Sequence, residues 1–503
     1  MAPLFDASQA RLSWSDTPKS EFEGVSNPPL EILPLVVSGP SSNRVDLIFF
    51  SDGYLQEERG KFIEDATRLA NDISSNQTFN TVKPLMNFWA AFTPSNESGV
   101  GVGGKPKDTP FGLYRDGTEL RGVYYAKPEV AGAACSSLGD QCDYPILLGN
   151  DPLYGGLGGR FTVITPSLAN GALILRHELG HSIIKVGEEY DGGWGYFGPN
   201  AHADLSAPVP WAHWLADPDS AHARVERSVM PMQDYAWALL NTSTPWAVTF
   251  ESAGAYARHL VRFSVSGLPE QTDLRVELDG VDLDWAPRAN IGVDRWHYDV
   301  YRDGGLSAGP HTLTFTLLNG AREPAAQMCN AEILEFGDES EFVSTPGHYS
   351  LYPTYSIDNA TTYRPTNEDC LMRIITTPNF CSACLEGLWL KLLRDVSLID
   401  ALDESCVPSA PGASTLTLRL VPLAHLRTAA VAGLADSYTI TWAKDGVVLP
   451  AWTNQTRVAP AHPGTYVVHV EYATPEVRAD PDGLLAAAME YTVSGTCGSD
   501  SVM

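Results

Sequence analysis

Apolar and polar positions follow different periods along this chain. Arg44-Val-Asp-Leu-Ile-Phe-Phe50 is a short, nearly continuous apolar run, the pattern of a strand covered on both faces. A Ser51-Asp-Gly-Tyr turn follows, and Leu55 to Ile73 carries the helical period, with Glu, Lys, Arg and Ala between its apolar positions. Phe88-Trp-Ala-Ala-Phe-Thr, Tyr144-Pro-Ile-Leu-Leu and Phe161-Thr-Val-Ile-Thr read as further strands. The Gly-, Pro- and Ser-rich stretch 95–110 reads as loop, Gly155–Gly159 as a flexible turn, and Gly171 to Val186 as an apolar helix. Beyond about residue 245 the period changes to two. His259-Leu-Val-Arg-Phe-Ser-Val, Leu274-Arg-Val-Glu-Leu and His311-Thr-Leu-Thr-Phe-Thr-Leu alternate, with turns at Asp279-Gly280 and Asp303-Gly304 between them. Short alternating strands at this spacing predict a β-sandwich. A helix is predicted over Leu385 to Ile399, and strands recur after Cys406, with Lys444-Asp-Gly-Val as a hairpin turn. Trp442 followed by Gly464-Thr-Tyr466 is immunoglobulin-like.

At 503 residues the chain has room for about three domains. Its 33 basic and 61 acidic side chains leave a net charge of −28, which repels phosphate backbones and anionic membranes and argues against nucleic-acid binding. No run of 18 apolar residues exists, so no membrane span is expected. The N-terminus, MAPLFDASQARLSW, does not read as a signal peptide. The eight cysteines nevertheless suit an oxidising compartment, and sequons begin at Asn76, Asn96, Asn241, Asn359 and Asn454. We expect an extracellular glycoprotein whose leader has been trimmed. Cys135 and Cys142 are expected to form a local disulfide, and the remaining six cysteines to pair as well.

The most informative segment is His177-Glu-Leu-Gly-His181. On a helix, residues four apart share a face, so both imidazoles are placed to hold one zinc at about 2.0–2.1 Å. Glu178 is then the general base: zinc lowers the pKa of a water towards about 7, and the carboxylate takes its proton and passes it to the leaving amine. The blander reading is a core helix with two satisfied histidines. Gly180 removes a side chain where a strand or substrate comes close. A third ligand is sought just downstream, in Val186-Gly-Glu-Glu-Tyr-Asp-Gly-Gly-Trp. If the helix continued, Glu188 would lie about 10 Å further along its axis. The chain must therefore reverse, and Gly187 is the residue able to let it in a left-handed conformation. Beyond the turn, neighbouring residues point to opposite sides, so only one of Glu188 and Glu189 faces the metal. His213, in Trp211-Ala-His-Trp214, lacks a paired acid and reads as core or cleft.

Taken with other segments, this motif resembles the IgA-peptidase family of zinc metallopeptidases. That family usually shows Asp-Glu-Tyr where this chain has Glu188-Glu189-Tyr190. Asp46 to Tyr54 and Phe92 to Gly99 are similar to its opening segments. Tyr363-Arg-Pro-Thr, Cys370-Leu-Met-Arg373 and Phe380-Cys-Ser-Ala-Cys384 are similar to its closing one. The resemblance covers about 45–225 and 346–390. It implies an α+β chain with a zincin-type domain, a twisted mixed sheet over an active-site helix. It says nothing of the two β-rich regions; adding the strand patterns above, we expect an irregular arm at 1–33, a first catalytic part at 34–245, an inserted β-sandwich at 246–345, a closing catalytic part at 346–404 and a C-terminal immunoglobulin-like sandwich at 405–503. The resemblance favours Glu189 as the third ligand and leaves Glu188 as the alternative, or as a residue orienting a ligand histidine. It places Met372 in the tight turn that lies beneath the metal in metzincin-like peptidases, core filling being the other reading. Tyr190 and Tyr363 are candidates to hydrogen-bond the reaction's oxyanion, or to fill gaps.

The function expected is a secreted zinc endopeptidase acting on a protein or peptide substrate. A zinc hydrolase for a non-peptide amide or a glycan-linked peptide is the rival within enzymes. A catalytically weak zincin that binds glycans or a cell surface through its β-sandwiches is the rival outside them.

Overall fold

Every residue of Val45–Asp52 is buried, as its uninterrupted apolar pattern requires. In the computed structural model, which describes residues 14, 17–75, 78–217, 223–407 and 413–495, this strand sits inside a six-stranded sheet. Residues 1–13, 15 and 16 of the expected arm, and Asn76, lie outside the described residues. The strands are β1 (Glu31–Val36), β2 (Val45–Asp52), β3 (Met86–Phe92), β4 (Tyr144–Gly149), β5 (Gly156–Leu157) and β6 (Thr162–Ile164), in the order β1-β3-β2-β4-β6-β5. β4 and β6 are parallel, and β5 runs antiparallel to β6 at the end of the sheet. The glycine-rich segment expected to be a flexible turn is therefore an edge strand. Asp52 organises the loop facing the strand end: its carboxylate accepts from Thr109 Oγ1, Phe111 N and Leu113 N at 2.9, 2.7 and 2.8 Å.

Helix α1 (Arg59–Ser75) buries Phe62, Ala66, Leu69, Ala70 and Ile73, one face at helical spacing. α2 (Pro128–Ser136) brings Cys135 to its disulfide partner Cys142. α3 (Gly171–Leu179) runs on into a wider π-helical turn over Gly180–Ile184. It is pinned at two places. Buried Arg176 reaches Asp72 of α1 at 2.6 Å, and Ser182 Oγ meets Thr162 Oγ1 of β6 at 2.9 Å.

The chain forms two compact units. The first comprises residues 1–35, 48–73 and 89–384, the second 36–47, 74–88 and 385–503. The first also holds two antiparallel sheets around one core. One orders Ala238–Leu239, Gln327–Phe336, Arg258–Ser266 and Trp296–Arg302, with Ser228–Asp234 also on Gln327–Phe336. The other orders Trp246–Ala253, Ala308–Leu317, Leu274–Leu278 and Val281–Asp282. Val261, Phe263 and Ile333 of the first pack with Val276, Leu313 and Phe315 of the second. Strand Ser228–Asp234 shows that this layer recruits residues ahead of position 246. Helix α4 (Ser382–Asp395) ends at Asp395, so Ile399–Cys406, in the second unit, is a strand rather than a helix end. It joins Ser414–Leu420 and Arg457–Ala461, while Val447–Val448, Ser437–Lys444, Gly464–Ala473 and Ala486–Val493 form a four-stranded sheet. Trp442 and Tyr466 are buried there. Asp445 and Gly446 both take positive φ, 48° and 81°, as a two-residue hairpin demands.

The architecture is thus α+β, mostly sheet, with few helices and sandwich-like layers. No described helix is long and apolar enough to cross a membrane.

Candidate metal centre

The four-residue spacing on α3 sets the His177 and His181 rings side by side, with Nε2 atoms 3.2 Å apart. Each Nδ1 faces a backbone carbonyl, Leu371 O at 3.2 Å for His177 and Val186 O at 2.9 Å for His181. A carbonyl only accepts, so both Nδ1 atoms carry a proton, which leaves the two Nε2 atoms as the positions that could bind a metal. The chain then reverses. The turn is made by Lys185, left-handed at φ 61°, and not by Gly187 as the sequence suggested. Gly187 is needed for a different reason: a Cβ there would collide with the backbone of Gly195 and Phe197. Gly187 N and Glu188 N donate to Phe197 O and Gly195 O at 2.7 and 2.8 Å, holding the returning segment extended.

That register brings Glu188, not Glu189, to the histidines. Glu188 Oε1 is 3.1 Å from His181 Nε2 and Oε2 is 3.3 Å from His177 Nε2. Glu189 points the other way, among Cys370, Cys381 and Cys384. The carboxylate facing the histidines is thus Glu188, the alternative named for the third ligand, and not Glu189. The physical reason is the bond from Glu189 N to Met372 O, 3.0 Å, which fixes which neighbour faces which side. The two Nε2 atoms are 3.2 Å apart and each has a different Glu188 oxygen at 3.1 or 3.3 Å, spacings that fit zinc, because a tetrahedron with arms of about 2.0–2.1 Å has edges of about 3.3–3.4 Å.

The electrostatics of the three groups are complementary. Burial raises the Glu188 carboxyl, but the two imidazoles overcome this and hold it well below the usual range. Burial lowers His181, and the Glu188 carboxylate more than offsets it, pushing the ring up to about 9. Glu178 is half-buried beside the histidines, and burial raises its pKa against the lowering effect of both rings. Its carboxylate lies under the edge strand, where a methyl group at Gly158 would sit 2.8 Å from Oε2. A methyl group at Gly156 would overlap Ile174 of α3, so the two glycines allow β5 to cross the helix closely.

Met372 is fully buried in the turn 371–373, and a methyl group at Gly180 would meet its sulfur at 3.0 Å. It thus lies directly against the helix between the two histidines. The Tyr190 ring stacks on His177 with centroids 6.4 Å apart, and burial raises its phenol well above its ordinary value. Tyr363 pairs through its backbone with His202 and Pro353. His213 rests beside Trp214.

Several supporting residues carry no sequence signal. Asn200 donates to Glu189 Oε1 at 2.9 Å and to Gly187 O at 3.0 Å. Arg373, fully buried, reaches the buried Asp191 carboxylate at 2.6 Å and Glu189 O at 3.1 Å. Burial and then Cys370 push the Glu189 carboxyl well above the usual range. Cys329, Cys370, Cys381 and Cys384 are unbonded thiols, contrary to the expectation of full pairing, while Cys406 is in a disulfide.

Residues 33–217 match the family model described as IgA peptidase M64. No curated protein matches the chain. Solved structures with some likeness include a β-glycosidase from Bacteroides vulgatus, 10% identical over 49% of this chain and 25% of that one, TM-score 0.11. A GH2 β-galacturonidase from Eisenbergiella tayi is 12% identical over 61% and 42%, TM-score 0.11. A cycloisomaltooligosaccharide glucanotransferase from Paenibacillus sp. is 11% identical over 71% and 51%, TM-score 0.16. The chain spans a quarter to about half of the length of these structures.

Proposed function

We propose, from the match of residues 33–217 to the family model described as IgA peptidase M64, that the chain is a zinc-dependent endopeptidase with His177, His181 and Glu188 as ligands and Glu178 as general base. The observation that carries this reading is the pair of imidazole Nε2 atoms 3.2 Å apart with the Glu188 carboxylate 3.1 and 3.3 Å from them, and Glu178 beside them. Zinc held there supplies a Lewis acid that polarises the scissile carbonyl and makes a water more acidic. The protein's own groups do the rest. The carbonyls of Leu371 and Val186 fix the tautomer and orientation of the two rings. Glu188 supplies one negative charge against the ion's two. Glu178 takes the proton from the attacking water on its carboxylate and returns it to the leaving nitrogen. Tyr190, stacked on His177 and kept protonated by burial, is placed to donate to the oxyanion; Tyr363, engaged through its backbone, is the weaker candidate. Edge strand β5 has no strand partner on its outer side in this sheet, so an extended peptide can pair there above Glu178.

We read the six-stranded sheet with α3 as a zincin-type domain and Met372 as its supporting turn. The layers between residues 228 and 336 are the inserted sandwich, and the C-terminal sheets around Trp442 the immunoglobulin-like one. We place the protein outside the cell. The Cys135–Cys142 and Cys406 disulfides support this, as does the exposure of the sequon residues Asn96, Asn241, Asn359 and Asn454.

The test is Glu178→Gln, an isosteric change that removes only the base. The variant is expected to keep its zinc and to lose about 10²–10⁴-fold in hydrolysis of denatured casein. Turnover within a few-fold of the parent, with zinc bound, would refute the mechanism. A zinc-loaded parent that cleaves nothing would favour a binding role instead.

A further inference from the structure

Directly behind the third ligand, Glu189 meets three cysteines. The four side chains are buried, with exposures of 0% for Glu189, Cys370 and Cys384 and 3% for Cys381, and their donor atoms all lie within 4.8 Å of one another. Cys370 and Cys384 sulfurs are 3.8 Å apart, far beyond the bond length of about 2.05 Å in a disulfide. The distance has another match. Zinc–sulfur arms of about 2.3 Å at the tetrahedral angle span an edge of about 3.8 Å, and one such arm with an oxygen arm of about 2.1 Å spans about 3.6 Å. Cys384 Sγ lies 3.6 Å from Glu189 Oε1. Two further features point to a ligand. Glu189 Oε2 is buried without a hydrogen-bond partner, although Asn200 steadies the other oxygen. The Cys381 amide donates to the Cys370 sulfur at 3.4 Å, an arrangement that favours a thiolate. Cys381 and Cys384 form a CxxC at the start of helix α4 (Ser382–Asp395), so one helical turn presents both sulfurs to the same point.

We propose that Cys370, Cys381, Cys384 and Glu189 hold a second, structural zinc ion, separate from the one at the histidines. Four protein ligands close the tetrahedron and leave no position for substrate, so this ion does no chemistry of its own. Its effect is to clamp the segments that build the first site. Glu189 is peptide-bonded to Glu188. Cys370 precedes Leu371, whose carbonyl orients His177, and Met372, whose carbonyl accepts from Glu189 N.

The experiment uses the full chain purified without chelator. Metal analysis is expected to find two zinc ions per chain, and zinc-edge X-ray absorption to show sulfur neighbours at about 2.3 Å beside nitrogen and oxygen ones. The His177→Ala/His181→Ala variant is expected to keep one zinc with a mainly sulfur shell. The Cys381→Ser/Cys384→Ser variant is expected to lose that shell. A parent protein with one zinc and no sulfur scattering would overturn the proposal. So would a histidine variant free of metal, or a disulfide among the three cysteines in the unreduced protein. If the cysteine variant does not fold, absorption on the parent and the histidine variant decides the matter. Failure of the histidine site alone would appear as loss of the nitrogen and oxygen shell with the sulfur shell intact.

Discussion

The buried pair Asp191–Arg373 offers the sharpest test of how the site is held. Neither side chain is exposed, and Asp191 Oδ2 is 2.6 Å from Arg373 Nη1. The other carboxylate oxygen accepts Tyr355 N at 2.7 Å, and Arg373 Nη1 also reaches Glu189 O at 3.1 Å. Moving each ion out of water costs several kcal/mol, so the pair as a whole adds little net stability. Removing one partner strands the other, which costs about 3–5 kcal/mol. Asp191→Asn keeps an oxygen for Tyr355 but leaves Arg373 with Glu368, 3.4 Å away, as its remaining anion. That variant is expected near 3 kcal/mol, the lower end of the range, and Arg373→Met near 5 kcal/mol, the upper end. The double variant is expected to cost about 2–3 kcal/mol less than the sum of the two, the signature of direct coupling. Urea unfolding of the zinc-loaded proteins measures this cycle, and zinc titration of the same variants is expected to show a 10–100-fold weaker affinity. Strictly additive effects, or single variants within about 0.5 kcal/mol of the parent, would refute the assignment.

Other outcomes are as definite. Glu188→Gln is expected to lower zinc occupancy of the histidine site and to abolish peptidase activity; unchanged zinc affinity by competition with a chelator would return the ligand role to Glu189. Replacing Cys135 and Cys142 by Ala opens a loop with a sequence separation of 7, and loop-closure entropy puts the loss at about 2–3 kcal/mol in chemical denaturation. A loss below about 0.5 kcal/mol would contradict that account. Gly156→Ala forces a methyl group into Ile174 Cγ2 and is expected to cost about 1–3 kcal/mol, and less when it is added to an Ile174→Ala background that lacks this carbon; an unchanged cost there would locate the strain elsewhere.

What could be read in the sequence was what local spacing determines. His177, Glu178 and His181 share a helix, so their juxtaposition follows from the helical period alone. The alternating segments after 245 became strands because a period of two has no other compact solution. The misreadings come from contacts distant in the chain. Lys185 has no preference for a left-handed conformation; it adopts one because the returning strand is held by Gly195 and Phe197. The glycines of β5 looked flexible because they carry no side-chain pattern, yet the close crossing over α3 is what selects them. Full pairing of the cysteines was inferred from an even count, which cannot distinguish disulfide partners from thiols gathered around a common point.

The choice between Glu188 and Glu189 shows how such a distant contact acts on chemistry. In an extended segment a slip of one residue exchanges every side chain between the two sides. Here it would send Glu189 to the histidines and Glu188 to the thiols. Three contacts oppose the slip, from two stretches of chain: Glu188 N to Gly195 O on one, and Glu189 N to Met372 O and Asp191 to Arg373 on the other. Because the histidine-facing carboxylate and the thiol-facing carboxylate are neighbours in sequence, whatever holds one in register holds the other. This is why the Asp191–Arg373 pair, which does not touch the histidines through any ligand atom, is expected to change zinc affinity as well as stability. A variant that weakened the fold by 3 kcal/mol or more while binding zinc as tightly as the parent would show that the register is kept without it.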